Sequence, residues 1–339
     1  MRLPDFEAGV VLAIISGICN GLFTTPMKMQ PRWKWENLWL VFIIVACLAM
    51  PAAIVTSSVP GWTRLLGSSP PGAVAAALAF GFAWGFGAIS FGQSVDSLGV
   101  SIANTLVIGL SSALGSLVPL ILGGNVNAGA KLLALFAGIA AFLAGVTLCG
   151  QAGIRRDRKT AGAKNQKPAI RGYLFAIAAG IMSAIFNIGF TLARPIAATG
   201  VSLGLSDFAA TNCIWLLMLG SGSIPNIVYC AYLMKRNQTS NLLVETDAAR
   251  GWMSGLIMGL LWGGSIFLYG AAVPKLGDIG PSIGWPLSLA TGLLVANGMG
   301  LLLGEWRNAG SDAVNRMRWG LVMLLGAIVL CAVSARMPA

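Results

Sequence analysis

The stretch GFAWGFGAISFGQSVDSLG at residues 81–99 decides the fold of this chain, because its pattern returns 178 positions later. Residues 259–277 read GLLWGGSIFLYGAAVPKLG, with the same Gly-x-x-Trp-Gly start, the same central glycine and the same Leu-Gly end. A second repetition, 163 positions apart, links Ala13-Ile14, Gly17-Ile18 and Phe23 with Ala176-Ile177, Gly180-Ile181 and Phe186. The chain is therefore predicted to contain two related halves, an arrangement typical of secondary transporters.

The composition places these halves in a membrane, because 56% of the 339 residues are hydrophobic and only 10% are charged. Apolar runs of about 20 residues cross the hydrocarbon core of a bilayer as helices. Ten such runs are predicted, at residues 8–27, 37–58, 72–94, 99–122, 130–150, 171–193, 207–233, 252–273, 279–303 and 317–335. The predicted fold is an all-α polytopic membrane protein with ten transmembrane helices, arranged as two inverted five-helix repeats.

The basic residues predict how the helices are oriented. Most of the 22 Lys and Arg residues fall in the connections after the first, fifth, seventh and ninth spans, and such residues stay in the cytoplasm. Both termini are then predicted outside. Residues 155–170 form a basic cytoplasmic linker between a first repeat at 1–154 and a second at 171–339. Because these charges flank spans, the net charge of +11 indicates contact with anionic lipid rather than nucleic acid.

The sequence lacks the residues that several kinds of chemistry require. The chain has no histidine, so zinc sites built on imidazole and His-based nucleophile relays are excluded. Its six cysteines form no C-x-x-C pair, and no phosphate-binding loop is present. The sequence therefore predicts neither an enzyme nor an ATPase, and it predicts no cofactor and no metal site. Uphill transport would draw on an ion gradient.

Polar and aromatic side chains within the spans are the candidate substrate-binding residues, because polar groups avoid lipid and face the protein interior. They are Asn20, Thr24, Trp84, Ser90, Gln93, Asn104, Asn187, Asn212, Trp262, Tyr269 and Trp285. Amides, hydroxyls and aromatic faces suit an uncharged sugar, predicted to bind between Trp84 and Trp262. Interhelical hydrogen bonds and core packing are the alternative roles. Seven further tryptophans at span ends are expected to be membrane-interface anchors: Trp33, Trp35, Trp39, Trp62, Trp252, Trp306 and Trp319.

The carboxylates are the candidates for proton coupling, since a coupling acid must be shielded from water to bind a proton near neutral pH. All eleven acidic residues fall at span ends or in loops. Asp207 is ranked first, followed by Glu36 and Glu305. For Glu36 and Glu305 a local surface ion pair is the alternative, and Asp207 could cap the seventh helix.

Motifs along almost the whole chain resemble a known family, the bacterial L-rhamnose–proton symporters of the drug/metabolite transporter superfamily. They are Phe23 with Pro26 and Lys28, Trp33-x-Trp35-Glu36-x-x-Trp39, Phe80-Gly81-x-x-Trp84-Gly85, Gly204-x-x-Asp207, Trp262 with Tyr269, Ile283-x-Trp285 and Gly304-Glu305-Trp306-x-Asn308-Ala309-Gly310. The resemblance implies import of a deoxyhexose, chiefly L-rhamnose, with a proton, by alternating access across a bacterial inner membrane.

The chain departs from the family pattern at one point in the third span. The enterobacterial members have an Asn-x-Asn-Tyr-Gly stretch, and here those positions hold Ala88, Ser90 and Phe91. Another sugar is therefore an open alternative. So is an exporter or exchanger of an amino acid, nucleotide sugar or amphipathic cation on the same fold, and sodium stays open as the coupling ion.

Overall fold

The computed structural model describes residues 3–30, 32–98, 100–122, 129–161, 170–245, 248–304 and 306–337, and no β-strand occurs among them. The helices are α1 Leu3–Leu22, α2 Thr25–Met29, α3 Trp35–Ile43, α4 Met50–Ser58, α5 Trp62–Ser68, α6 Pro71–Leu98, α7 Val100–Leu122, α8 Ala130–Ala161, α9 Ile170–Ser202, α10 Asp207–Asn237, α11 Ala248–Lys275, α12 Gly280–Leu302 and α13 Ser311–Arg336. A π-helical segment, Ile44–Ala49, joins α3 to α4, and a 3-10 turn, Ser240–Leu243, precedes α11.

The apolar segments confirm an all-helical polytopic membrane protein. Within the described ranges, nine helical segments are long and apolar enough to cross a bilayer. A shorter apolar helix, Thr105–Ile121, lies where the fourth span was predicted. The first seven residues of the predicted linker continue α8 as helix, and residues 162–169 lie outside the described part.

The first predicted span, 8–27, is not continuous. Helix α1 ends at Leu22, a turn follows at Phe23 and Thr24, and α2 begins at Thr25. Pro26 explains the break, because it has no N–H to donate to the carbonyl oxygen of Leu22 and its ring crowds that carbonyl in a continuous helix. The turn lies beside the central cavity described below, where exposed backbone groups can be solvated.

The glycines of the repeated sequence allow two close helix crossings. In the first half, a Cβ added at Gly81 would lie 2.3 Å from the carbonyl oxygen of Met218, and one at Gly85 would lie 2.4 Å from that of Gly222. Side chains at these positions would collide with the backbone of α10. Glycine is therefore required where α6 crosses α10.

The second half repeats this arrangement. A Cβ at Gly259 would lie 2.5 Å from Cβ of Val45, and one at Gly263 would lie 2.7 Å from Sδ of Met50. Helix α11 thus crosses the second span, which consists of α3, the π segment and α4, as α6 crosses α10. The sequence repetition has a direct packing consequence in both halves.

The remaining helix contacts also occur in matching pairs. Helix α6 packs on α9, as α11 packs on α1, and α7 packs on α9, as α12 packs on α1. Helix α7 contacts α8, as α12 contacts α13, and α8 packs along α13. Each of these contacts therefore has an equivalent contact between the corresponding helices of the other half.

Charged side chains tie helices together at both ends of the bundle. At one end, Asp312 of α13 pairs with Arg155 of α8 and lies 3.4 Å from Nε of Arg316. At the opposite end, Nζ of Lys275 on α11 lies 3.8 Å from a carboxylate oxygen of Asp5 on α1. Exposed pairs of this kind contribute about 0–1 kcal/mol each.

The glycine crossing generates a stability prediction with a control on the same helix. Gly85→Ala should destabilise the protein by about 1–3 kcal/mol, because the new methyl group must displace the α10 backbone. Gly92→Ala should leave stability unchanged or raise it slightly, because no atom lies within 4 Å of its Cβ position. The midpoint of thermal unfolding in detergent measures both, and equal midpoints would contradict the crossing.

Candidate functional site

A cavity of about 970 Å³ lies between the two halves. Its lining comes from α1, α3, α6, α9, α10, α11 and α12, with further residues from α7, α8 and α13. At its deep end are Tyr269 and Trp285, and towards the end of the bundle that carries the basic connections it reaches Glu36, Arg156 and Trp306. Glu36, Arg156 and Trp306 mark the mouth of the cavity.

The repeated tryptophans form one aromatic surface in the cavity wall. The rings of Trp84 and Trp262 stack with centroids 5.3 Å apart and an interplanar angle of 13°. Phe186 flanks Trp84 at 4.9 Å and Phe42 flanks Trp262 at 5.6 Å. Because the two indoles touch, a sugar ring does not fit between them in this conformation. Only the side of the stacked pair that faces the cavity is open to contact with a sugar.

A buried hydrogen-bond network closes the deep end. The hydroxyl of Tyr269 donates to Oδ1 of Asn187, and the amide of Asn187 donates to the carbonyl oxygens of Gly115 at 2.6 Å and Pro281 at 3.2 Å. These groups join α7, α9, α11 and α12. Nε1 of Trp285 adds a bond of 3.2 Å to the carbonyl oxygen of Ser111.

A cluster of three serine hydroxyls lines the cavity between α1, α11 and α12. Oγ of Ser16 lies 2.9 Å from Oγ of Ser288 and 3.2 Å from Oγ of Ser265, and it donates to the carbonyl oxygen of Ser265 at 2.8 Å. Small side chains let these helices approach, and their hydroxyls satisfy one another away from water.

Glu36 is a buried carboxylate at the mouth of the cavity. It is 4% exposed, and its Oε1 accepts hydrogen bonds from Nδ2 of Asn237 at 2.9 Å and Oγ1 of Thr239 at 3.0 Å. Gln238 lies between these two donors at the end of α10 and has a left-handed φ of 54°. In the described part of the chain its partners are neutral, and no ion pair reaches it. Arg156, beside the ring of Trp306 at 4.9 Å, is the basic residue among the described lining.

The structure brings part of the predicted set together in the cavity. The predicted residues that line the cavity are Asn20, Thr24, Trp84, Gln93, Trp262, Tyr269, Trp285 and Glu36. Ser90 is half-buried on α6 outside the lining, and Asn187 lies behind Tyr269. Asn212 is buried on α10, and its amide nitrogen has no partner among the described residues. Glu305 and the side chain of Asn104 lie outside the described part.

Asp207 lies far from this arrangement, at the exposed start of α10. The capping role belongs to Ser206, whose hydroxyl accepts a hydrogen bond from the backbone N–H of Ala209. Asp207 follows it in the first helical turn, where a negative charge is favoured by the helix dipole.

The structure also revises the expectation for the tryptophans at span ends. Trp33 and Trp306 are buried, and Trp35, Trp39 and Trp306 line the cavity. Trp62 is half-buried against the core, and Trp252 and Trp319 are exposed. Sequence position alone did not reveal which side of a helix each ring occupies.

Comparison with known proteins identifies the family. A family model described as L-rhamnose-proton symport protein (RhaT) matches residues 5–336. The chain belongs to this family. The RhaT family comprises proton-coupled sugar transporters and not enzymes, and the match confirms the resemblance found in the motifs.

Individual relatives agree with the RhaT assignment over nearly the whole length. Proteins named L-rhamnose-proton symporter from Salmonella dublin and Salmonella enteritidis are each 26% identical over 330 residues, which covers 94% of both chains. One crystal structure superposes with a TM-score of 0.60 at 12% identity, covering 97% of this chain and 99% of that one. This last similarity concerns the fold alone.

The network behind the cavity generates a second stability prediction. Tyr269→Phe should cost about 1–3 kcal/mol, because it leaves the buried Oδ1 of Asn187 without a donor. The matched variant Tyr229→Phe removes a hydroxyl that is half-buried at the cavity mouth, where water can replace it, and should cost a few tenths of a kcal/mol. Unfolding midpoints in detergent compare the two, and an equal effect would argue against the buried network.

Proposed function

We propose that this chain imports L-rhamnose or a closely similar deoxyhexose together with a proton. The proposal is supported by membership of the RhaT family, by the names of the Salmonella relatives and by the cavity itself. Aromatic rings and neutral hydrogen-bonding side chains make up about half of its described lining residues, and these groups recognise an uncharged sugar. Export or exchange of another metabolite is not favoured by these findings.

We further propose that ten helices form two inverted repeats in the bacterial inner membrane. The matching helix contacts and the two equivalent glycine crossings support this architecture. An odd number of spans per half inverts the second half. The cavity would then lie at the interface of the repeats, where transporters of this type bind substrate.

We infer that this conformation of the protein is open towards the cytoplasm. The mouth lies beside the connections that carry most of the Lys and Arg residues, and such connections remain cytoplasmic. At the other end, the Asn187 network and the pair between Asp5 and Lys275 close the bundle. Both termini would lie in the periplasm. Alternating access then requires the deep end to open while the mouth closes.

The proposed central sugar site lies on the stacked indoles of Trp84 and Trp262. The C–H face and methyl group of a deoxyhexose would pack on the cavity side of these rings. Asn20, Thr24 and the Ser16 cluster line the same cavity and would bind the hydroxyl groups.

Glu36 is the proposed proton-binding residue. Its carboxyl group is buried at the mouth of the cavity and accepts hydrogen bonds from the neutral groups of Asn237 and Thr239, which supports this role. Proton and sugar would leave through the same opening. Sodium remains the alternative coupling ion.

The function itself is tested by electrical recording from proteoliposomes. A current evoked by L-rhamnose should respond to a pH gradient and persist when potassium replaces sodium. If the current disappears when sodium is removed, sodium and not the proton is the coupling ion. Silence with L-rhamnose and with a panel of hexoses and deoxyhexoses would refute the proposal.

The coupling role of Glu36 generates a mutational prediction. Glu36→Gln should abolish accumulation of L-rhamnose against its gradient, because the side chain no longer exchanges a proton, while equilibrium exchange of the sugar persists. The control Glu245→Gln, an exposed acid bonded to Asn241, should accumulate sugar normally. Asp207→Asn and Glu305→Gln test the other two candidates in the same assay. Normal pH-driven accumulation by Glu36→Gln would remove Glu36 from the mechanism.

The central aromatic surface generates a prediction for affinity. Trp84→Ala and Trp262→Ala should each weaken L-rhamnose binding about tenfold, because each removes a face of the stacked pair. Equilibrium dialysis with labelled L-rhamnose measures the effect. Wild-type affinity in both variants would place the sugar elsewhere in the cavity.

A further inference from the structure

The mouth of the cavity contains a second aromatic cluster. Trp35 and Trp39 lie one turn apart on α3, and their rings stack with centroids 5.0 Å apart at 19°. The ring of Tyr229 meets Trp35 edge-on at 6.3 Å. All three rings are half-buried and line the cavity, as does Gln93. These four residues are called the mouth cluster.

The mouth cluster combines its rings with neutral hydrogen-bonding groups. Nε2 of Gln93 donates to the hydroxyl of Tyr229 at 3.0 Å, and the amide oxygen of Gln93 has no partner within the described residues. Nε1 of Trp39 donates to Oδ1 of Asn226 at 3.1 Å, which fixes the orientation of this indole. A preorganised ring surface therefore stands next to an amide and a hydroxyl that face the cavity.

The outer end of the mouth cluster lies away from the central tryptophan pair, whereas its inner end adjoins that pair through Phe42, whose ring centroid is 4.7 Å from that of Trp39. Trp35 precedes Phe42 by seven residues on α3, a rise of about 10 Å. Phe42 is the residue that contacts Trp262. One pyranose ring does not span this distance, so a sugar on Trp35 and Tyr229 and a sugar on the central pair would occupy different places.

We propose that the mouth cluster is a second sugar-binding subsite, occupied by the transported deoxyhexose between the central site and the cytoplasm. The inference rests on the proposed function, since it assumes that a sugar enters the cavity. Aromatic faces with adjacent amide and hydroxyl groups bind the apolar face and the hydroxyls of a pyranose. Glu36 adjoins Trp35, so a sugar held here lies next to the proposed proton-binding group.

Equilibrium dialysis of the full-length protein in detergent with radiolabelled L-rhamnose tests the subsite. The wild type should bind two sugars per chain. The double variant Trp35→Ala/Trp39→Ala should bind one sugar at the central affinity, with the second half-saturation concentration raised about tenfold or more. Trp84→Ala/Trp262→Ala should retain the site at the mouth.

Two further variants separate ring loss from general damage. Trp319→Ala removes a tryptophan that is 55% exposed on α13, and it should bind two sugars. Trp35→Phe keeps an aromatic face at the mouth and should retain most of the binding at the second site. This variant tests the subsite even where the alanine variants do not fold. Thermal unfolding in detergent verifies that each protein tested is folded.

The outcomes distinguish this inference from the function on which it rests. A single bound sugar in the wild type, lost in Trp84→Ala/Trp262→Ala and unaltered in Trp35→Ala/Trp39→Ala, would overturn the subsite and leave sugar transport standing. A Trp35→Phe variant that loses the second site as fully as the alanine variants would also argue against ring stacking. Absence of binding in every folded protein would overturn the proposed function and the subsite together.

Discussion

The close approach of helix backbones at the repeated glycines is the constraint on which the cavity depends. Where α6 crosses α10, a Cβ at Gly222 would lie 2.7 Å from the ring of Trp84, so a side chain there would displace the indole. The corresponding crossing of α11 sets the position of Trp262. With glycine at both crossings, the two indoles come into contact in the cavity wall. Packing and the proposed sugar site are thus consequences of the same small residues.

The second physical theme is how polar groups are satisfied inside an apolar bundle. Asn187 uses both ends of its amide to connect four helices through Tyr269, Gly115 and Pro281. Glu36 is held by neutral donors at the opposite end. Unsatisfied polar groups are costly away from water, so such contacts favour one closed and one open end rather than an intermediate arrangement. Transport in a protein of this kind requires two such states.

Much of the site could be predicted from residue type and position. Trp84 and Trp262 stand at equivalent places in the repetition, and Asn20, Thr24 and Gln93 are polar residues in apolar spans, so each could be proposed before the fold was known. The environment of Glu36 could not be predicted in this way. Its partners Asn237 and Thr239 lie about two hundred residues along the chain, and no local pattern connects them.

The sequence by itself determined the solvent, the helices and the internal repetition of motifs, because length, hydropathy and repetition are local or periodic properties. The tertiary structure decided which side of each helix faces the cavity. It turned Trp35 and Trp39 inward and left Asp207 exposed. These outcomes depend on contacts between distant segments, and such contacts exist only once the helices pack together.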